Sequence, residues 1–470
     1  MRNEAVKVAR WKEKAKQYRR ERDAYRKRIQ ALTIGRDHWK SKYKRSQKER
    51  LVIGQKPTVP GLTPQSKPAR HSYPVALISL ALLLRRAHCS LRGCLEVLRV
   101  MSVYLGLELS IPSISSIRHW EKKLGHWRLH QSACSQERWA IILDESVGVG
   151  QQKLLVVLGV PLLGYQFGQA LSLEQVRVLS VRLSASWKAE AIRQELVQLQ
   201  GRGYAISYAI SDGGTNLLKA LRVSEITQIQ DCTHALGKLL EKQYKKDEEF
   251  QAFTKACALF KRQTLLGEGS LVMPPVQRAK GRFLNLEPLC QWGCKLLCLL
   301  EEKPELLSES IREKIAWLLP YQDMLIQMHE QCQTMHALLK VLKNKGLSEQ
   351  AAQQCRVILE ESEANDFFKQ GAEAYLQENL SRLSEDTCRL CCSDSIESLF
   401  GKYKNQLRQA PGQVVTDSCL TMANLTAKPQ QEEIKQAMEK TKMVDLQQWK
   451  KENVPKSLLQ KRRELFKSVG

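Results

Sequence analysis

The spacing of apolar residues divides the chain into a helical part, a short β-rich part and a longer helical part. Residues 71–130 have apolar positions at helical spacing, which predicts three helices with a turn at Gly106 and a new start behind Pro112. Residues 137–234 hold short apolar or alternating runs, which predict three strands, a helix, a strand, a helix and a strand. From 235 to about 424 the period is helical again. The pattern predicts an α/β fold whose strands lie in one stretch.

The connections between the five predicted strands limit how the strands pair. The first three follow one another closely enough for an antiparallel meander, whereas the fourth and fifth each follow a helix and suit parallel crossovers. The strand runs are RWAIILDES, KLLVVLGVPLLG, VRVLSVRLSAS, YAISYAISDGG and ITQIQDC. A mixed sheet is therefore expected.

A large excess of positive charge narrows the choice of partner. The 470 residues hold 74 Lys+Arg against 49 Asp+Glu, a formal net charge of +25. Such an excess favours a polyanionic partner, nucleic acid before membrane. No signal segment is seen at the N-terminus, and the longest apolar run, at 75–84, is too short to span a bilayer. We expect a cytoplasmic protein, associated with the nucleoid if the host is bacterial.

The N-terminal residues 1–50 predict a basic helix with coiled-coil tendency. They hold 19 Lys+Arg against 6 Asp+Glu, and large apolar residues repeat every seven positions at Trp11, Tyr18, Tyr25, Leu32 and Trp39. Self-association together with contact to DNA phosphates explains both features, with Arg19 and Arg20 among the predicted contacts. A proline-rich linker at 51–70 follows this helix.

The three helices predicted over 71–130 fit a helix-turn-helix DNA-binding unit. The third helix carries Arg118, Lys122 and Lys123, which are predicted to contact DNA. A plain three-helix bundle with a basic face is the alternative. A polar, basic and helical tail at 425–470 ends the chain.

The 14 cysteines are predicted to be mostly reduced and buried. Neither of two cysteine clusters has the paired spacing of a structural zinc site, so packing is the favoured role. The clusters are Cys290, Cys294 and Cys298, and Cys388, Cys391 and Cys392.

Two aspartates directly follow buried strand runs. Asp144 ends the first run and Asp212 ends the fourth. A carboxylate in such a place costs desolvation energy unless it is paired, hydrogen-bonded or bound to a cation. Carboxylate oxygens are the ligands that Mg²⁺ prefers, and two Mg²⁺ ions about 4 Å apart serve phosphoryl transfer in many nucleases and polymerases. Either residue alone also suits a turn or a helix cap, Asp212 especially because SDGG is a good turn sequence.

The strand order with these two aspartates resembles the ribonuclease H-like domain of DDE transposases. That family completes its carboxylate triad with a glutamate on a helix beyond the fifth strand, and several branches (hAT, Mutator-like and bacterial insertion-sequence enzymes) place a large helical insertion before it. Here 185 positions separate Asp212 from Glu397. The segment Asp231-Cys232-Thr233-His234 matches the [C/D]xxH motif of those branches, and Lys404 follows Glu397 at the spacing found in some insertion-sequence transposases. The Tyr and Arg that precede the glutamate in that signature are absent, and Ser393 stands at the Arg position.

The resemblance implies a triad of Asp144, Asp212 and Glu397 that holds two Mg²⁺ or Mn²⁺ ions. It also implies that Lys404 holds a phosphate and that Asp231 and His234 lie near the DNA. Asp394 shares a helix face with Glu397 and stays open as the third carboxylate, whereas Glu145 points away from Asp144 across the strand.

The domains implied are a ribonuclease H-like domain at 137–234, an all-helical insertion at 235–385 and a Glu-bearing helix of the same domain at 386–424. The function implied is that of a DNA transposase, which cleaves transposon ends and joins them to target DNA, as a homodimer or larger assembly on double-stranded DNA. Two alternatives remain open. One is a nuclease or resolvase of the same fold without strand transfer, and the other is an inactive DNA-binding protein derived from a transposase.

Overall fold

The structure is a computed structural model and describes most of the chain after residue 66. The described residues are 67–107, 109–133, 137–147, 152–264, 268–277, 281–382, 387–409, 417–456 and 458–467. The predicted basic helix, with Arg19 and Arg20, lies outside them. The chain divides into two compact units, one containing Leu91–Ile114 and the other containing Lys67–Ser90 and Ser115–Gly470.

Three helices precede the first strand among the described residues, as the apolar spacing over 71–130 predicts. They are α1 (Val75–Arg86), α2 (Leu91–Tyr104) and α3 (Ile114–Leu129). Helix α2 belongs to the first unit, and α1 and nearly all of α3 belong to the second. The helix-turn-helix unit stays a prediction.

A buried ion pair joins α1 to α3 within the second unit. The Arg85 Nε donates to the Glu121 Oε1 at 2.8 Å, and both side chains are at least nine-tenths buried. Burial raises the pKa of Glu121, and the Arg85 charge opposes that rise. The two helices are thus held by a charge pair that water does not reach.

Five strands form one mixed sheet. They are β1 (Arg138–Val147), β2 (Lys153–Pro161), β3 (Arg177–Ser184), β4 (Ala205–Ser211) and β5 (Gln228–Gln230). Their order across the sheet is β3-β2-β1-β4-β5. The pairs β1–β2 and β2–β3 are antiparallel, and β1–β4 and β4–β5 are parallel. This confirms the mixed sheet and places β1 at its centre.

The sheet is covered on both faces because the central strand is apolar on both faces. Trp139 and Ile141 of β1 pack with α4 (Ala189–Gly201) and α5 (Thr215–Val223). Ala140 and Ile142, which point the other way, belong to the larger core that the following helices build. The residue that follows Leu143 in the strand, Asp144, lies on the same side as Ile142.

The chain from β5 to residue 380 is helical where it is described, as predicted. It contains α6 (Cys232–Tyr244), α7 (Glu248–Gln263), α8 (Glu287–Glu302), α9 (Glu309–Ile315), α10 (Gln322–Lys345), α11 (Glu349–Glu361) and α12 (Asp366–Leu380). Five of these helices begin where a polar side chain accepts a backbone N–H of the first turn, namely at Asp231, Asp247, Ser308, Ser348 and Asn365. Their apolar faces share one core with the sheet.

Helix α13 (Asp394–Arg408) returns the chain to the sheet and packs against β1. Its Ile396 and Leu399 are buried in the same core as Ile142. Short helices follow as α14 (Gln431–Lys440), α15 (Met443–Asn453) and α16 (Leu458–Lys467). Among the described residues, no helix combines the length and the apolar character that crossing a membrane requires.

We expect the variant Glu121→Leu to lose about 3–5 kcal/mol of unfolding free energy, because it leaves the Arg85 charge buried without its partner. The double variant Arg85→Met/Glu121→Leu removes both charges and should be more stable than that single variant. Urea denaturation of both variants measures the difference. A double variant no more stable than Glu121→Leu would contradict the buried pair.

Candidate active site

The register of the two central parallel strands brings Asp144 and Asp212 side by side. Ile142 of β1 pairs with Ile210 of β4, and each aspartate follows its isoleucine by two positions. Neighbouring strands lie about 4.8 Å apart, and residues two apart share a face of the sheet. Both carboxylates therefore stand at the carboxyl end of the sheet, on the face that α6 and α13 cover.

The surroundings of Asp144 disfavour its charged form. Burial is the largest effect and the charge of Asp212 the next, and together they raise the pKa of Asp144 to about 6. The charge of Glu397 acts in the same direction, while that of His234 opposes it. The pKa of Asp144 thus depends on the charges of all three neighbours, as expected for a carboxylate in a shared anionic site.

Asp212 also forms the turn that the sequence allows for it. Its Oδ1 accepts a hydrogen bond from the Gly214 N–H at 2.9 Å. Gly213 between them has φ +84°, a conformation that side chains other than glycine rarely adopt. The turn orients the carboxylate at the end of β4, so the turn role and a role in the site are compatible.

The [C/D]xxH motif ties α6 to the start of α13. Asp231 is fully buried, and its Oδ2 accepts both the backbone N–H of His234 at 2.8 Å and its ring Nδ1 at 2.7 Å. Its Oδ1 accepts the backbone N–H of Ser393 at 2.6 Å. One carboxylate therefore caps α6, orients the His234 ring and holds the residue that precedes α13.

His234 lies between Asp231 and Glu397. Its Nε2 is 3.4 Å from the Glu397 Oε1, on the side of the ring away from Asp231. The hydrogen bond to Asp231 raises the pKa of His234 to about 9, with further contributions from the charges of Asp231 and Glu397. At neutral pH the ring is thus a cation beside Glu397.

The two acids of α13 stand in different surroundings. Asp394 Oδ2 is 2.6 Å from the Lys343 Nζ, and its Oδ1 accepts the Thr233 hydroxyl at 3.2 Å. Burial acts against the charged form of Asp394, but the hydrogen bond and charge of Lys343 outweigh it and lower the pKa. The pKa of Glu397 is raised by burial, although 48% of its side chain is exposed. Asp394 is therefore paired with Lys343, whereas Glu397 lies beside His234.

The residues that are predicted to contact DNA differ in their exposure and in the contacts that they already make within the chain. Lys404 is exposed and lies seven positions after Glu397, which is two turns along the same face of α13. Arg118 is exposed on α3. The Lys122 Nζ lies 2.8 Å from the Asp417 Oδ2, and the Lys123 Nζ donates to the Met438 carbonyl at 3.1 Å. The last two lysines thus already have acceptors within the chain, and contact with DNA stays a prediction for all four.

The donor set of the triad suits a hard divalent cation. Asp144, Asp212 and Glu397 offer carboxylate oxygens, and burial followed by the charges of the other two acids raises the pKa of Asp144. Their oxygens do not all lie within 4.8 Å of one another, so among the described residues the set is open rather than closed.

A second group of possible ligands consists of Asp231, Cys232 and Cys392. Both Asp231 oxygens already accept N–H groups, as given above, and burial helps to raise the pKa of both thiols. The group is explained as packing between α6 and the segment before α13. Every cysteine among the described residues is a free thiol, and neither predicted cysteine cluster gathers its three members as ligands.

Sequence reasoning missed the residues that separate the two acids of α13. Lys343 lies 51 positions before Asp394, on α10, and no motif marks it. The hydrogen bond from Ser393 to Asp231 could not be predicted for a different reason. A backbone N–H donates it, and every residue except proline has a backbone N–H. Both contacts depend on how the helices pack.

Comparison with solved structures gives a distant similarity. No protein-family model matches the chain, and no curated protein matches it either. A solved structure described as the Drosophila P element transposase strand transfer complex is similar with a TM-score of 0.43 and 10% sequence identity. The match covers 78% of this chain and 94% of that chain.

Replacing His234 by Gln should change stability in a pH-dependent way. The folded-state pKa of about 9 lies above the ordinary 6.5, so the ion pair stabilises the fold fully below pH 6.5 and is lost as the pH rises through 9. We expect the variant to lose about 2 kcal/mol at pH 6 and much less at pH 10. Urea denaturation in EDTA across this range measures the loss.

The variant Asp231→Asn, which removes the partner charge, should lack the same pH-dependent component. A loss that is equal at both pH values in His234→Gln would contradict the assignment of an imidazolium.

Proposed function

We propose that the protein is a DNA transposase of the DDE type, with Asp144, Asp212 and Glu397 as its carboxylate triad. The observation that carries the proposal is the matching register of Asp144 on β1 and Asp212 directly after β4. Glu397 on α13 is the third acid in this proposal, and its charge helps to raise the pKa of Asp144. In this proposal the domain at 137–234 and 386–424 is ribonuclease H-like, and 235–385 is an insertion.

The triad would hold two Mg²⁺ or Mn²⁺ ions. Bound there, such ions would supply an activated oxygen nucleophile and stabilise the leaving oxygen of a phosphodiester. The chain's own part is to hold three carboxylates close together despite their repulsion. The β1–β4 register and the Gly213 turn do so for two of them, and the Asp231–His234 link does so for Glu397.

His234 acts in this proposal as a positioning residue. Its ring is protonated at neutral pH and offsets the charge of Glu397 at 3.4 Å before any cation binds. Asp231 prevents the ring from turning, since it accepts the Nδ1 hydrogen bond. The exposed Lys404 lies about 10 Å further along α13, a distance that suits contact with a phosphate next to the one that reacts.

Double-stranded DNA is the proposed partner. The net charge of +25 favours phosphate contacts, and in this proposal residues 71–130 read the transposon ends while residues 1–50 pair the protomers.

Replacing Asp144 by Asn should reduce strand cleavage by about 10³-fold or more, because it removes a ligand and its charge from the site. Binding of transposon-end DNA should be unchanged. The matched control is Glu145→Gln, since Glu145 is the next residue of β1 and lies on the other face, 3.6 Å from Lys153. A cleavage assay on labelled end DNA measures both variants. Retained cleavage in Asp144→Asn would contradict the proposal. A second assay, strand transfer from pre-cleaved ends, distinguishes a transposase from a nuclease.

Substitutions of the two acids of α13 should differ in their effects on cleavage and on stability. Glu397→Gln should lose cleavage about as strongly as Asp144→Asn, with little change in unfolding free energy because the side chain is half exposed. Asp394→Asn should keep measurable cleavage and lose about 1 kcal/mol, because it weakens the ion pair with Lys343 at a side chain that is 46% exposed. Cleavage assays and urea denaturation on the same preparations test the pair. The reverse pattern would make Asp394 the third carboxylate.

A further inference from the structure

A basic cleft of about 520 Å³ lies beside Asp212, at the β5 edge of the sheet. We name it the α5–α12 cleft, after the helices whose ends border it. The polar residues that line it and matter here are Arg222, Gln228, Gln230, Lys238, Glu378 and Arg382. Three of them are cationic and one is acidic, and the proposed triad uses none of them.

Side chains of α12 close the outer edge of the sheet where the cleft begins. The Tyr375 hydroxyl donates to the Gln230 carbonyl at 3.0 Å, and the Asn379 Oδ1 accepts the Gln230 N–H at 3.0 Å. Arg382 continues this edge, because its Nη1 donates to the Gln228 carbonyl at 2.9 Å and to the Gln228 Oε1 at 3.0 Å. Another strand cannot add at β5, and a guanidinium is held at the rim of the cleft.

The inner end of the cleft opens at the residue that bears the catalytic carboxylate. Lys238 follows His234 by one turn of α6, and its Nζ donates to the Asp212 carbonyl at 2.9 Å. A Cβ at Gly213 would lie 3.7 Å from this ammonium, so no side chain stands between the loop and the cation. The cleft therefore adjoins the backbone of Asp212 through Gly213 and Lys238.

The lining combines the three features that a nucleotide needs. Arg222 and Lys238 suit a phosphate, whereas Arg382 is already paired with Glu378 at 2.6 Å. The amides of Gln228 and Gln230 suit polar edges, and Leu218, Leu221 and Ile226 offer apolar contact to a sugar or base. The volume fits a small ligand and is far too small for a duplex.

We propose that the α5–α12 cleft binds a single-stranded segment of the DNA strand that enters or leaves the site at Asp212. The inference rests on the proposed function, since it takes Asp212 to be at the reacting phosphate. Arg222 and Lys238 hold the phosphates of this segment, and the apolar floor contacts its sugars or bases. The cleft thereby keeps the strand separated beside the site of cleavage.

Photocrosslinking tests the cleft without requiring catalysis. The full chain is mixed with a single-stranded oligonucleotide of about ten nucleotides that carries 5-iododeoxyuridine, and the crosslinked peptides are mapped after irradiation. We expect crosslinks within residues 213–238. Arg222→Glu should lower their yield about tenfold, because it reverses one phosphate-binding charge, whereas Arg222→Lys should retain it.

Lys219→Glu is the matched control. Lys219 is an exposed residue of α5, outside the lining of the cleft, so the same charge reversal should leave the yield nearly unchanged. Equal yields from Arg222→Glu and the unchanged protein, with both folded by thermal unfolding, would overturn the proposal. The mononucleotide dTMP, added as a competitor, should lower the crosslinking yield less than the same concentration of unlabelled oligonucleotide does. If both competitors lower the yield equally, the proposal is also overturned, since the cleft would then be a pocket for free nucleotides.

Failure of the cleft and failure of the proposed function give different results. Asp144→Asn should crosslink like the unchanged protein, because the cleft does not include Asp144. If that variant still cleaves DNA, the triad is wrong while the crosslinking result still decides the cleft. If it does not cleave and Arg222→Glu crosslinks normally, only the cleft is wrong.

Discussion

Asp231 is the buried charge on which the arrangement around the sheet end depends. Its side chain is fully buried and accepts three N–H groups, two from His234 and one from Ser393, and its own N–H donates to the Ser211 carbonyl. The end of β4, the start of α6 and the start of α13 thus meet at one residue. A carboxylate in such a place is stable only when donors surround it, so the starts of α6 and α13 are constrained in position by the need to supply these donors. The end of β4 is tied to the same residue by accepting its N–H.

A balance of charge follows from that constraint. Asp144 and Glu397 both have raised pKa values, and the His234 cation lies next to Glu397. Lys343 neutralises Asp394 on the other side of α13. Each acid of α13 therefore lies beside a different cation, Asp394 beside Lys343 at 2.6 Å and Glu397 beside His234 at the longer distance of 3.4 Å.

Much of the fold could be predicted because it follows from local patterns. Apolar runs along the strands and short connections between the first three predict the mixed sheet, and β1 begins and nearly ends where RWAIILDES does. The fifth strand is shorter than its run, with only Gln228–Gln230 paired, because the chain turns into α6 at Asp231 and α12 covers the strand's outer edge. The length of an edge strand depends on which elements pack beside it, and the periodicity of the strand's own sequence does not indicate those elements.

The sequence by itself determined that Asp144 and Asp212 lie toward one edge of the sheet, since the carboxyl ends of parallel strands meet there. Asp212 directly follows β4 as predicted, whereas β1 continues to Val147, so Asp144 lies within its strand, opposite Val156 of β2. The sequence also placed Asp394 and Glu397 on one helix face, but it could not separate them physically. Only the tertiary structure decided that Lys343 pairs with Asp394 and that His234 reaches Glu397. The reason is that charge pairing depends on distances of a few ångströms between side chains far apart in the chain, and such distances are set by helix packing rather than by spacing along the sequence.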